Sequence, residues 1–441
     1  METNKKNYTL PIVMMFLLFA MISFVTGLSN PLGVIVKNQP GIQNWMSQLG
    51  NFANFLAYLF MGLPAGIILK RKGYKFTALS AIAVGFIGVG IQLISGTMEY
   101  VPNETNFTPI FLIYLLGAFI SGFSMCMLNT VVNPLLNTLG GGGKTGNQLI
   151  QFGGALNSFC ATIVPILGGY LIGNIAKATL QNAIPALLIA LSIFAVVFFV
   201  LLFVSIPEPH MEKASTTKEK DKYSAMSFRH FIFGTVAIFL YVGIEVGVAN
   251  FMNLYLTSSP DAAGAKGFGM DTAAAGSVVG TYWFLMLVGR LLGGALGGKF
   301  SAKAQLTVVS AACMILVTLG IFLPTTTLVS MPAIQSSLSF AMVQVPISVF
   351  LFAICGLCTS IMWGGIFNLA VEGIGKYTAM GSGIFMVMVV GGGVLPLIQG
   401  AVADISGSYM TSYWVIVAAA AFLLWYALVG CKNVNKNIPV E

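Results

Sequence analysis

Residues 111–139 read FLIYLLGAFISGFSMCMLNTVVNPLLNTL. The run is apolar, and as one helix it is long enough to cross a hydrocarbon layer ~30 Å thick. Within it Asn129, Asn133 and Asn137 recur every four residues. On a helix, positions i, i+4 and i+8 share one face. An amide stripe on a spanning helix does not face lipid, where its polar atoms would lose hydration without compensation. It faces other helices or a water-filled cavity. Two uses fit such a stripe. One is interhelical hydrogen bonding, worth ~0.6 kcal/mol per bond in membranes. The other is contact with a neutral, hydroxyl-rich solute.

The same texture extends through the chain. Of 441 residues, 57% are hydrophobic and 8% charged, against about 25% charged in soluble proteins. Segments of spanning length fall at 10–33, 43–69, 76–96, 109–138, 147–173, 180–206, 229–257, 271–298, 304–325, 341–371, 377–402 and 409–431. The expected fold is an all-α membrane protein with 12 transmembrane helices. With the N-terminus in the cytoplasm, Lys70 to Lys75, Lys144, the lysines between Lys213 and Lys222, Lys299, Lys303, Lys376, Lys432 and Lys436 all fall inside. Only Lys37, Lys177 and Lys266 fall outside. This is the positive-inside pattern, and it places both termini in the cytoplasm. Topology therefore accounts for the net charge of +8, and no nucleic-acid partner is implied. The first apolar segment continues through Asn30 and Pro31 without a small-residue cleavage site, unlike a signal peptide.

Several motifs carry no chemistry. Gly140 to Thr145 imitates a phosphate-binding loop, but Thr138 stands where the first glycine belongs and a membrane helix precedes it. Cys355 and Cys358 sit in an apolar run as packing residues, and His210 and His230 are too few for a metal site. No catalytic constellation, cofactor or metal is expected.

The one sizeable polar stretch, Glu208 to Ser227, divides the chain into 1–207, a cytoplasmic linker at 208–227, and 228–441. A weak repeat relates the two parts. Pro64 to Lys70 with Lys75 follows the second segment, and Gly293 to Lys299 with Lys303 follows the eighth; Pro165 and Pro396 hold matching places. Two six-helix halves with a central site are a common transporter plan. Gly391 to Gly393 ahead of Pro396 should weaken the eleventh helix locally.

Glu245 lies near the middle of 229–257. A charge at that depth costs ~2.5–3.5 kcal/mol on insertion scales, and such residues mark ion paths or proton relays. The other use is as a neutral, hydrogen-bonded structural group. Arg290 lies in the cytoplasmic half of the eighth segment and Glu372 ends the tenth on the same side, where they could pair as a latch; the alternative is an arginine snorkelling to the interface. Further amides stand at Gln48, Asn51, Gln151, Asn157, Asn250, Asn253 and Asn368, and deep tryptophans at Trp283 and Trp363. Amides for hydroxyls and an aromatic face for a ring's C–H patch are what a sugar site needs.

On Pro64 to Lys75, Leu128 to Pro134, Asn157-Ser-Phe, Tyr241 to Glu245, Lys376 to Pro396 and Asp404, the chain resembles the fucose/glucose/galactose sugar symporter family of the major facilitator superfamily. The likeness runs in order over nearly all the segments. It implies the major facilitator fold, two pseudo-symmetric six-helix bundles, and secondary active import of a hexose, deoxyhexose or amino sugar by alternating access. The expected setting is the bacterial inner membrane, with the chain as a monomer. The candidate sugar contacts are Asn30, Asn129, Asn133, Gln151, Asn157, Asn368 and Trp363, and Glu245 is the ion-coupling candidate. Asn30 and Asn129 stand where proton-coupled members of that family carry acidic residues, and Gly154 where the family has a polar amide. An amide does not titrate near neutral pH. Three readings follow: coupling by H+ through Glu245, coupling by Na+, or uniport. A drug or lipid exporter of the same superfamily is the alternative class, and the amide stripe argues against it.

Overall fold

The computed structural model describes residues 8–37, 41–98, 107–140, 143–172, 178–208, 223–296, 300–335, 337, 339–435 and 437–440. Among the described residues, eleven helices are long and apolar enough to cross a membrane: α1 Thr9–Lys37, α2 Leu49–Leu69, α3 Arg71–Thr97, α4 Pro109–Leu136, α6 Leu180–Phe203, α7 Arg229–Thr257, α8 Thr272–Gly293, α9 Ala302–Phe322, α10 Ile347–Val371, α11 Gly383–Ser406 and α12 Tyr409–Gly430. Between α4 and α6 lies α5, Gly143–Ile172, whose apolar stretch Phe152–Gly168 is shorter. Most of the segment read as the 208–227 linker lies outside the described residues. Its first residue, Glu208, accepts hydrogen bonds from the Tyr74 and Lys75 amides at 2.6 and 2.9 Å. That fastens the turn between α2 and α3, where Gly73 (φ 86°) takes the left-handed conformation open to glycine.

One element departs from an all-helical reading. The segment expected to span from 341 begins as a strand. β1, Leu328–Ile334, pairs antiparallel with β2, Phe340–Pro346, and α10 starts only at Ile347. Hydropathy alone does not separate a short apolar strand from a helix end. Here Val343 and Val345 alternate with polar Gln344, and Gln344 Nε2 donates to Ser330 Oγ across the ladder at 2.6 Å. The hairpin lies along α8: the Ile334 amide donates to Thr281 Oγ1 at 3.0 Å, and Phe340 meets Phe284 edge-on at 5.4 Å.

Among the described residues, four spanning helices are interrupted: α1 at Leu28, α10 between Thr359 and Met362, α11 between Met388 and Gly391, and α12 at Tyr413. The α11 break falls where its glycines come closest to neighbours. A side chain at Gly391 would collide with the Phe239 carbonyl of α7, while Gly392 and Gly393 receive Phe55 and Phe52 of α2. Pro396 then removes an N–H and leaves the Gly392 carbonyl, four residues earlier, without its helical donor. Asn51 of α2 donates to that carbonyl at 2.7 Å. Overpacking typically costs ~1–3 kcal/mol. Gly391→Ala should therefore lower the thermal midpoint in detergent clearly, whereas Gly364→Ala, which meets open space, should leave it unchanged.

Hydrogen bonds between α1–α6 and α7–α12 concentrate at the end where α1 turns into α2, while α5 packs along α8. There the short helix Asn44–Ser47 packs on α11. Asp404 Oδ1 accepts from the Asn44 amide and side chain at 3.0 and 2.7 Å, and Oδ2 from the Trp45 amide at 3.0 Å. Tyr409 donates to Asn44 Oδ1 at 2.7 Å, and Asn250 Nδ2 to Gln48 Oε1 at 2.8 Å. Toward the opposite end the molecule is looser. Gly364 and Gly383 face open space, and Asn368 and Glu372, one and two turns beyond Gly364, are exposed.

Candidate functional site

At mid-depth the site is built around Glu245 on α7. Its Oε1 lies 3.7 Å from Arg290 Nη2 of α8, and each side chain keeps about a sixth of its surface exposed (16% and 17%). Arg290 Nη1 also donates to the Gly154 carbonyl of α5 at 2.6 Å, so one guanidinium joins α7, α8 and α5. The glycine makes this reach easy: a Cβ at 154 would sit 3.6 Å from Nη1, and a longer side chain would take the guanidinium's place.

The expected Arg290–Glu372 latch is thus replaced by an Arg290–Glu245 pair. A helical side chain leans toward its own N-terminus. On α8 that direction leads from Arg290 away from Gly293 and toward the level of Glu245. Glu372 instead stands exposed at the end of α10, where its carbonyl bonds His230 Nε2 at 3.0 Å.

Aromatic groups frame the pair. Tyr282 donates to the Glu245 carbonyl at 3.1 Å and lies 3.2 Å from Thr359 Oγ1 of α10. Tyr241, one turn before Glu245, faces the pair and meets Trp363 edge-on, with ring centres 6.2 Å apart. Trp283 meets Tyr282 the same way at 5.1 Å. Ring faces beside a charged, hydrogen-bonding pair can hold a pyranose by its C–H patch and its hydroxyls together.

The α4 amides form a second group. Asn129 Nδ2 donates to the Tyr58 hydroxyl of α2 and to the Met125 carbonyl, both at 3.1 Å, and Asn133 Nδ2 donates to the Asn129 carbonyl at 3.0 Å. Both residues are half-buried. Asn157 on α5 turns to α1: its Nδ2 donates to the Phe19 carbonyl at 3.3 Å, while Ser23 donates to its backbone carbonyl. The side chains of Asn30, Asn137 and Gln151 lie outside the described residues. Of the remaining candidates, the structure joins Trp363 to Glu245 through Tyr241, stacks Asn133 on Asn129, sets Asn157 against α1, and leaves Asn368 on the exposed face of α10. Sequence reasoning missed Arg290 as the partner of Glu245, and with it Tyr241, Tyr282 and Thr359. The available signal was the direction in which an α8 side chain leans. Among the described residues no cluster of three His, Cys, Asp or Glu could hold a metal.

Comparison with known proteins bears on this arrangement. The Major Facilitator Superfamily model matches residues 13–395. A glucose/galactose transporter of Brucella abortus is 30% identical over 98% of this chain and 96% of its own length. An L-fucose-proton symporter of Escherichia coli is 20% identical over 96% of this chain and 94% of its own. Among solved structures, the xylose transporter of Escherichia coli in an inward-open conformation superposes with a TM-score of 0.71 at 12% identity, over 97% of each chain. That likeness speaks to fold.

Proposed function

This chain belongs to the Major Facilitator Superfamily, and from that premise we propose that it imports a sugar by alternating access with H+ as the coupling ion. It is a multi-pass membrane transporter of sugars, not an enzyme, and its fold needs no cofactor. The finer assignments rest on the following support. Residues 1–207 and 228–441 act as the two moving halves, joined by 208–227. The lysine distribution supports a cytoplasmic position for both termini, and for the open end carrying Asn368, in a bacterial inner membrane. The end closed by Asp404 then faces outward, and the described arrangement is the inward-facing one. The transporting unit is a monomer.

The observation that carries the coupling assignment is the Glu245–Arg290 pair. An arginine 3.7 Å from the carboxylate opposes any added cation, but a proton needs only one carboxylate oxygen, whereas a hard metal cation needs a shell of oxygen ligands. With Glu245 ionised, Arg290 is shared between α7 and the Gly154 carbonyl of α5. With Glu245 neutral, the charge attraction to α7 is gone and Arg290 is held mainly by α5, so proton loading shifts the balance of the tie between the halves. The sugar is held by Asn129 and Asn133 on one side and by Trp363 with Tyr241 on the other; Asn30, Gln151, Asn157 and Asn368 are assigned to the same path.

Uptake of labelled hexoses, deoxyhexoses and amino sugars into proteoliposomes, under an imposed H+ gradient, a Na+ gradient or none, tests the reading. Concentrative uptake driven by H+ alone supports it. Drive by Na+ replaces the ion, equilibration without accumulation makes the protein a uniporter, and no flux of any sugar refutes the substrate class. Asn129→Ala should raise the KM for sugar about tenfold, the equivalent of one hydrogen bond at ~1.4 kcal/mol. An unchanged KM would remove Asn129 from the site.

A further inference from the structure

A layer of amides between α2, α7 and α11 has no role in the reading above. Gln48, Asn250 and Gln399 are all buried, as is Asn51 beside them. Asn250 and Gln399 each lie seven residues inside the outer ends of α7 and α11, and Asn51 lies seven beyond Asn44. At 1.5 Å per residue this is one level, ~10 Å below the outer surface of the bundle. Gln48 Oε1 takes its hydrogen bond from Asn250, and Gln399 Oε1 abuts Gly247 one turn from Asn250. Asn51 has a structural duty at the carbonyl freed by Pro396.

The pairing of the layer is incomplete. Asn250 Oδ1 and both polar atoms of Gln399 meet no partner among the described residues. Buried polar groups are ordinarily satisfied, and leaving one unmade is unfavourable. A seam needed only as a seal would be better built from apolar side chains. The unmatched atoms make sense if the layer serves the other arrangement of the halves, in which α2 parts from α7 and α11 and the amides face the path from outside. Each amide then offers two donors and one acceptor, and the layer carries no charge of its own. Asp404, farther out on α11, is engaged by Asn44 and Trp45. That chemistry suits a neutral polyol.

We propose that Gln48, Asn250 and Gln399 form a second sugar-binding station, reached from outside before the sugar descends to the level of Glu245. This rests on the sugar-import reading. The test compares Gln399→Leu and Gln48→Ser with the unmodified protein in oriented vesicles, with KM measured separately from the outer and inner faces using the sugar that the wild type transports. The expected result is an outer KM raised at least fivefold with the inner KM within about twofold. A seal without sugar contact behaves oppositely, because weakening it populates the outward-open form and lowers the outer KM. An outer KM that falls, or that does not change, overturns the proposal. Should Gln399→Leu fail to reach the membrane, Gln399→Ser and Asn250→Ser make the same measurement. Wild-type vesicles that move no sugar would overturn the transport reading first, and this station with it.

Discussion

Glu245→Gln is expected to abolish accumulation of sugar above its external concentration while leaving exchange of sugar across the membrane within a few-fold of wild type. Gln keeps an acceptor for Arg290, so it imitates the protonated carboxylate in shape and charge. A carrier fixed in that form cycles with sugar but cannot release a proton, so the gradient no longer drives it. The membrane potential contributes ~2.3 kcal/mol per charge per 100 mV to uptake; that contribution should disappear. Stability is the confounding variable. Removing one partner of a buried ion pair costs about 3–5 kcal/mol. The Arg290 bond to the Gly154 carbonyl and the residual exposure of both side chains put this site at or below the low end. The double variant Glu245→Gln with Arg290→Gln separates the two effects. It should recover thermal stability in detergent without recovering accumulation. Gradient-driven accumulation that survives in Glu245→Gln would show that coupling lies elsewhere.

The second large effect belongs to Asp404. One carboxylate there accepts two main-chain amides and the Asn44 side chain, and hydrogen bonds to a charged group contribute ~1.5–3 kcal/mol each. Asp404→Ala removes all of them. Water reaching this end restores part of the loss, leaving a shift of ~2 kcal/mol toward the outward-open form, or roughly 30-fold in population. Transport should slow at least tenfold, since the return to the inward-facing form becomes uphill. In a background without the native cysteines, a Gln48→Cys probe should react with a membrane-impermeant maleimide from outside at least ten times faster when Asp404 is Ala. Equal reaction rates would show that the outer seam does not depend on this carboxylate.

The spanning helices were legible because twenty apolar residues between polar turns leave few alternatives in a bilayer. The break in α11 was legible too, from Gly391 to Gly393 ahead of Pro396. Legibility ends where two segments must be placed relative to each other. The strand beginning at Phe340 runs without a charge into the helix after it, and its partner is set by register with β1. Arg290 and Glu245 were each conspicuous as charges in apolar helices. Their pairing depends on how α7 and α8 are rotated and on which way the arginine leans, and composition does not encode that. The same holds for Gln48 and Asn250: each was visible as a buried amide, but the bond between them belongs to the packing of α2 on α7.

Both charged ties between the halves share an asymmetry. Arg290 and Asp404 belong to the C-terminal half, and on the N-terminal half they bind chiefly main-chain groups, the Gly154 carbonyl and the Asn44 and Trp45 amides, with the Asn44 side chain the one exception. A peptide group is present whatever side chain a codon specifies, so most missense changes at 44 or 45 leave the main-chain donors in place, whereas at 154 a side chain longer than Ala displaces the guanidinium. Loss of either tie by a single step is therefore concentrated at the Arg290 and Asp404 codons in the second half of the gene, with Gly154 the exception in the first. A random-mutagenesis selection for leaky or uncoupled carriers should return charge-removing hits from that half far more often than from the first. The N-terminal half is correspondingly freer to drift in sequence while still holding its partner.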